Sequence, residues 1–447
     1  MSEGQKQADE LVKFLVEIKF EDLPTNVIEQ TKKLLLDNIG IMLGVAFSYP
    51  GKLVMDLMRH IGFSTRQEAT IVGYGVKTSC FDAAFVNAAF IEGFDIQDTY
   101  MPAGLHVGST AVPAALAMGE FKEASGKDLI EALVAAYEAE TRVALALKGI
   151  KPGGAFQRGF IMTGITGAFG AAVAAGKLLK LDTEEMANAI GLAASHSPVT
   201  PFPLLIYTGK FTHASVPAIA GILAAREAEK GFTAPSMTYY CRAIVGDPDF
   251  DELNRELGQH FKVMDMELKL WTSCRGTHPA VECALEIYKR YKINPDDIES
   301  ITVKTHLPTY LLDRETSTSS SFLECQFNIP YTTAVALIDG DVSIEQFSDE
   351  RRKDPKVHEL ARKVKIIRNP GYSEVEVLTK DGRVYSHRIT SIKGEPSKPL
   401  TDQEIQDKFK KLASKAITDK QRVEEILNKV MTIERASTIS ELITLLY

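Results

Sequence analysis

Cysteine is scarce in this 447-residue chain, which holds only Cys80, Cys241, Cys274, Cys283 and Cys325. The number is odd and no two stand in a CxxC spacing, which excludes a cysteine-based zinc knuckle and fits a reducing compartment. A basic excess is lacking as well. The formal net charge of −8 leaves no basic face to meet phosphates, and no DNA- or RNA-binding motif appears, so no nucleic-acid partner is expected. No run reaches the roughly 18 uninterrupted apolar residues of a membrane span, and no membrane partner is expected either. The opening MSEGQKQADELVKFLVEI is polar and then amphipathic. It lacks the basic-then-apolar signature of a secretion signal, so the expected location is the cytoplasm.

What is present is a globular composition, 45% apolar and 25% charged, in a chain too long for one core; two domains are expected. Leu11, Phe14 and Leu15, then Val27, Leu34, Leu35 and Ile39, recur at helical spacing on either side of a break at Asp22-Leu-Pro24. Ala-rich helical segments follow one another to about residue 260. The patch Val72-Gly73-Tyr74-Gly75 reads as a loop, and its GxG lacks the third glycine of a dinucleotide fingerprint. Gly164, Gly167 and Gly170, at intervals of three, predict close helix packing, because no GK[ST] follows to make a phosphate cradle. The character changes near Val263. Glu299–His306 and Ser373–Ile389 alternate apolar and polar residues, the second around a hairpin signal at Asp381-Gly382, with helices between. Helical spacing returns from Thr401. The expected fold is mainly α: an all-helical domain of residues 1–262 and 398–447, with a smaller α+β domain, residues 263–397, inserted before the C-terminal helices.

The stretch from Glu92 to Ser109, EGFDIQDTYMPAGLHVGS, draws the functional reading. It predicts a helical segment with Asp95 and Asp98 three apart on one side, breaking into a Pro/Gly loop that ends at His106. Alone, such a segment reads as solvated helix-end charges and a loop histidine. Four further loops carry chemical potential: Arg158-Gly-Phe, Lys210/His213, Lys269 through His278, and Gln326 through Tyr331. In an acidic chain, cations and histidines in four of the five places point to a pocket for an anionic substrate. Lysine and arginine there hold carboxylates and stabilise the charge that appears when a proton leaves the carbon α to one. His106 is the candidate base, with Asp95 expected to orient its ring and raise its pKa. Asp98 reads as a supporting carboxylate, His213 equally as structural or functional, and His278 as a helix-start residue. Cys274 reads as a packed small residue, or as a reactive thiol if Arg275 lowers its pKa. His60, His260, His306, His358 and His387 receive no role. Asp95, Asp98 and His106 form an oxygen/nitrogen set, but no second Asp-rich element exists to hold a metal with them.

Five blocks, FDIQDTY…LHVGSTAVPAALA, GAFQRGF…TGITGAFGAAVAAGKLL, GKFTHASVPAIAGILAAREAEKGFTAP, KLWTSCRGTHPAVECAL and QFNIPYTTAVALIDGDVSIEQFSD, occur in that order over nearly the whole chain. Together they resemble the MmgE/PrpD family, whose members include 2-methylcitrate dehydratases, cis-aconitate decarboxylases and iminodisuccinate epimerases. The resemblance implies a large helical domain, a smaller α+β domain, a homodimer and a site between the domains that needs no cofactor and no metal. By position it implies Asp95, His106, Lys210, Lys269 and Tyr331 as catalytic residues and Thr99 and Cys274 as substrate contacts; Arg158 and Arg275 join the substrate contacts as cations of their loops. Ile161 stands where many relatives have a histidine, and an isoleucine carries no proton, so one acid/base group is absent or replaced. The reading taken is a lyase on a small di- or tricarboxylate, a hydro-lyase like 2-methylcitrate dehydratase. The alternatives are an iminodisuccinate epimerase-like isomerase, a cis-aconitate decarboxylase-like enzyme and a non-catalytic relative.

Overall fold

The computed structural model describes residues 4–305, 312–369 and 371–447; His306 lies outside them. The fold is mainly α, with 58% helix against 9% strand. Helix α1 (Gln5–Glu17) buries Ala8, Leu11, Val12 and Leu15, one stripe at helical spacing. Pro24 starts α2 (Thr25–Ala46), which is buried along most of its length, and α3 (Tyr49–Ile61) follows. The patch Val72–Gly75, read as a loop, is the turn of a hairpin that the sequence did not announce: β1 (Ala69–Ile71) pairs antiparallel with β2 (Val76–Thr78). Three-residue strands are too short for alternation to announce them, and a tertiary contact holds this pair. The Glu120 carboxylate accepts from both the backbone N–H and the hydroxyl of Thr70, each at 2.7 Å.

The helical domain continues through α4 (Cys80–Glu92), α5 (Gly108–Phe121), α6 (Gly126–Ala146), α7 (Met162–Leu179), α8 (Thr183–His196), α9 (Ser215–Glu229) and α10 (Thr238–Val245). Capping boxes at Ser125/Asp128 and Asp182/Glu185 fix where α6 and α8 begin. By length and composition α7 is apolar enough to cross a membrane, yet 94% of it is buried inside the protein, packed against α5, α6, α8 and α9. Its glycines allow that approach. A Cβ on Gly167 would lie 2.5 Å from Thr110 Cγ2, and one on Gly170 would collide with the Glu140 carboxylate.

In the α+β part, α11 (His278–Tyr291) precedes β3 (Ile298–Thr305). Then come α12 (Phe322–Gln326), α13 (Ile329–Asp339), α14 (Asp349–Arg352), α15 (Pro355–Ala361), β4 (Val364–Arg368), β5 (Ser373–Thr379) and β6 (Val384–Ile389). The sheet runs β4-β3-β5-β6, parallel between β3 and β4 and antiparallel elsewhere. Val303 pairs with Val375 and Ile301 with Val377; these buried residues share the face that α11 covers. Helices α16 (Asp402–Ala413), α17 (Lys420–Met431) and α18 (Ser440–Ile443) end the chain. Both α16 and α17 return to α2, where Gly40 and Gly44 leave room for Phe409 and Leu412. The connection from α4 to α5, the short turn before α9 and the segment before α11 are thereby brought to one place.

Candidate active site

Helix α4 is almost wholly apolar and ends on a buried carboxylate, Glu92. The chain then leaves the helix. Gly93 packs where a side chain would meet Val45 and Pro50, and Asp95 takes a left-handed conformation with φ of 53°, which costs a non-glycine residue roughly 1 kcal/mol or more. Asp95 and Asp98 therefore do not share a helix face, contrary to the sequence expectation. Asp98 turns inward, accepting from Asn38 Nδ2 at 3.0 Å, Tyr137 Oη at 3.1 Å and the Gly108 backbone N–H at 3.2 Å; burial raises its pKa. It anchors the start of α5.

Asp95 faces two buried lysines. Its Oδ1 is 2.9 Å from Lys210 Nζ and its Oδ2 is 3.3 Å from Lys269 Nζ. Lys210 also donates to the Glu92 carboxylate and to the Glu92 carbonyl, both at 3.0 Å, so its three N–H bonds are all taken. Lys269 donates further to the Asp95 carbonyl at 2.8 Å. Burial alone would push both carboxyls up; the lysine charges outweigh it. Glu92 is held down at about 2, and Asp95 lies well below the usual carboxylate range, by Lys210 and then Lys269. Burial opposes the charge on Lys210, but Asp95 and Glu92 raise its pKa. Two carboxylates and two ammonium groups thus form one closed, ionised network.

His106 lies beside this network and is not part of it. Its backbone N–H donates to Thr163 Oγ1 at 2.9 Å, and its Nδ1 lies 2.9 Å from the Asp98 carbonyl oxygen and 3.2 Å from Thr99 Oγ1. A carbonyl only accepts, so Nδ1 carries the proton and Nε2 keeps its lone pair. The orienting group is this carbonyl, in place of the Asp95 carboxylate expected from the sequence. Burial, and then the Lys269 charge, push His106 down to about 4, against the opposing pull of Glu92 and Asp95. A neutral imidazole with a free Nε2 is a base ready to act. Thr99 is held in place by a two-way backbone pairing with Glu267, at 2.8 and 2.9 Å, which also fixes the approach to Lys269.

Glu92, Asp95, Thr99, His106, Lys210, His213, Cys274 and Arg275 line part of a cavity of about 130 Å³, a size suited to one small organic molecule. The apolar residues Met101, Ile150, Phe156, Ile161, Phe202, Leu205, Leu312 and Phe327 line the same cavity, and the Phe327 ring centroid lies 5.7 Å from Lys210 Nζ. The sequence reading weighed His213 equally as structural or functional and gave Glu92 no role. His213 Nδ1 donates to the Lys210 carbonyl at 2.7 Å, while its Nε2 is buried without a partner. The signal that could have found Glu92 is a lone carboxylate closing an apolar helix, which requires a buried cation.

The other sequence candidates are placed as follows. Burial, and then the Asp95 charge, push the Cys274 thiol up to about 11, opposite to the lowering expected from Arg275. That arginine is engaged elsewhere, with Glu267 at 2.6 Å, the Lys393 carbonyl at 3.1 Å and His278 Nδ1 at 3.2 Å. His278 donates Nε2–H to the Ser273 carbonyl at 3.1 Å and is held neutral by burial and by Arg275. Lys269 reaches the site only through Asp95 and does not line the cavity. Tyr331 does not line it either. Its hydroxyl donates to the Gln346 carbonyl at 2.7 Å, and its ring packs on Phe347 and His358. Arg158 is exposed and donates to the Ile244 and Val245 carbonyls at 3.1 and 2.6 Å, tying its loop to the end of α10. Among the described residues no three of His, Cys, Asp and Glu converge as a metal would require.

Comparison with known proteins agrees with this layout. The model of the MmgE/PrpD N-terminal domain matches residues 9–241, and that of the MmgE/PrpD C-terminal domain matches residues 271–433. The chain is 26% identical to a cis-aconitate decarboxylase-like protein, oryM, of Aspergillus oryzae (strain ATCC 42149 / RIB 40), over 98% of this chain and 96% of that protein. It is 27% identical to the cis-aconitate decarboxylase of Aspergillus terreus (strain NIH 2624 / FGSC A1156), over 95% and 93% of the two chains. To the cis-aconitate decarboxylase of Homo sapiens it is 26% identical, over 96% and 92%.

Proposed function

The chain belongs to the MmgE/PrpD family, and on that footing we propose a cofactor-independent lyase that forms a carbanion next to the carboxylate of a small organic acid. A lyase-type function is what the relatives support, since decarboxylases are lyases. The observation that carries the finer reading is His106: half-buried, neutral, its proton fixed at Nδ1 and its Nε2 free beside a cavity.

In the proposed reaction, His106 Nε2 takes the α-proton and the electron pair moves into an enediolate. Lys210 and Lys269, both buried against the Asp95 carboxylate, supply positive potential there. The enediolate collapses, the β-carbon–oxygen bond breaks, and the leaving hydroxide departs as water with a proton that His213 Nε2 first takes up from solvent, His213 being the group that stands in for the histidine missing at Ile161. Decarboxylation is the second reading, favoured by the relatives' names. There the carbon–carbon bond to the carboxylate breaks, and the carbanion left behind takes a proton from the same wall. NMR in D2O with methylcitrate, citrate, cis-aconitate, iminodisuccinate and citramalate tests both. Deuterium entering an α-position, or loss of carbon dioxide, is expected with at least one acid of this type; neither, across the panel, sinks the proposal.

The homodimer implied by the resemblance is also proposed. Helix α3 leaves Tyr49, Leu53, Leu57 and Ile61 exposed at four-residue spacing, an apolar row suited to a second copy of the chain. Sedimentation velocity checks it; a monomer at micromolar concentration would count against it.

A further inference from the structure

Each cation at this site already has its anion. Lys210 is met by Glu92 and Asp95, Lys269 by Asp95, and Arg275 by Glu267. Three cations stand against three carboxylates, so the site is close to neutral before any substrate enters. Donors are nearly exhausted too: Lys210 has none left, and what remains on the polar wall is the Thr99 hydroxyl and the buried, unpartnered Arg275 Nη2. That is enough for one carboxylate, or for two that share donors. A tricarboxylate would bring three charges into a cavity with no unpaired cation among the described residues, and a buried charge without a partner is strongly disfavoured.

The apolar lining has its own requirement. Phe156 and Phe202 meet edge to face, with centroids 4.9 Å apart, and Met101, Ile161 and Phe327 complete an apolar surface of the same cavity. A carboxylate placed there loses its water and gains no hydrogen bond, whereas a hydrocarbon placed there is buried favourably.

We propose that the substrate is a small acid with one or two carboxylates and an uncharged alkyl or aryl arm, the carboxylate meeting the His106, Thr99 and Arg275 side and the arm meeting Phe156, Ile161 and Phe202. The inference rests on the lyase reading of the same site and narrows it away from tricarboxylates.

The test compares wild-type protein with three probes by titration calorimetry and by α-proton exchange in D2O: cis-aconitate as the trianion, citramalate as a small dianion, and 2-isopropylmalate as a dianion with a branched arm. The isopropyl acid is expected to bind about tenfold or more tightly than cis-aconitate, and Phe156→Asn to remove that advantage while citramalate affinity changes little. Tighter binding of cis-aconitate than of the isopropyl acid overturns the substrate class, even if cis-aconitate is turned over and the lyase reading stands. The expected order of affinities with no exchange and no turnover of any probe supports the substrate class and removes the lyase reading instead. Since the order of affinities is read on the wild-type protein, the conclusion does not depend on the variant folding.

Discussion

His106 Nδ1 lies 2.9 Å from the backbone carbonyl oxygen of Asp98, so the base of this site is oriented by main chain and not by a carboxylate. A carboxylate partner would raise an imidazole's pKa; here burial and Lys269 win, and His106 is held at about 4. The unprotonated form is the active one. The rate of α-proton exchange is therefore expected to rise with pH through about 4 and to be flat across neutrality, with no limb at histidine's ordinary 6.5 or so. His106→Gln should cost about 10²–10⁴ in that rate. An acid limb near neutrality would show that the ring is charged in the free protein.

The same shift bears on stability. The unfolded chain takes up a proton at His106 below about 6.5, while the folded protein resists until about 4, so acid favours unfolding over that window. Glu92 acts in the same direction at lower pH. Its contribution is present above the unfolded value near 4.3 and is lost as pH falls toward about 2.

Removing one member of the buried network leaves an uncompensated charge. Lys210→Met strands Glu92 and half of Asp95, and a loss of about 3–5 kcal/mol is expected in urea unfolding. Adding Glu92→Gln to Lys210→Met should recover part of it, because fewer buried charges are then unpaired. A Lys210→Met protein as stable as wild type would mean that the carboxylates are protonated in the fold.

Tyr331 separates what the sequence could say from what it could not. Its motif position implies a catalytic hydroxyl, but the structure gives that hydroxyl to the Gln346 carbonyl, behind the cavity wall. Tyr331→Phe is therefore expected to lower stability by about 1 kcal/mol and to leave exchange and turnover within about twofold, as a change outside the reacting groups should; a large loss of turnover at unchanged stability would return it to the site.

Asp95, Thr99, His106, Lys210 and Cys274 were legible as one site because their loops carry unusual residue combinations, and those loops do meet at one cavity. The helical phase of the first domain was legible for the same reason that α1 buries a clean stripe. Three things were not. The left-handed turn at Asp95, which parts Asp95 from Asp98, is a backbone state that nothing in the FDIQD spacing announces. The β1–β2 hairpin is too short to show a period. The direction of a side chain such as Tyr331 or Arg158 depends on which carbonyl lies nearby in space, and that is a tertiary fact.

His213 carries the remaining prediction. Its Nδ1–H is fixed on the Lys210 carbonyl and its Nε2 is buried at the cavity without a protein partner, an arrangement that would be costly if nothing ever bound there. If His106 removes the first proton and His213 handles the second, the two variants must differ in kind. His106→Gln should lower exchange and turnover together, by about 10²–10⁴. His213→Gln keeps a donor for the Lys210 carbonyl, so it should retain α-proton exchange within a few-fold while net product formation falls by about 10²–10⁴. Exchange followed by NMR in D2O and product measured in the same tube give the two rates together. Equal losses of both rates in His213→Gln would make this histidine a support for Lys210, and the group that replaces the histidine absent at Ile161 would have to be sought in water.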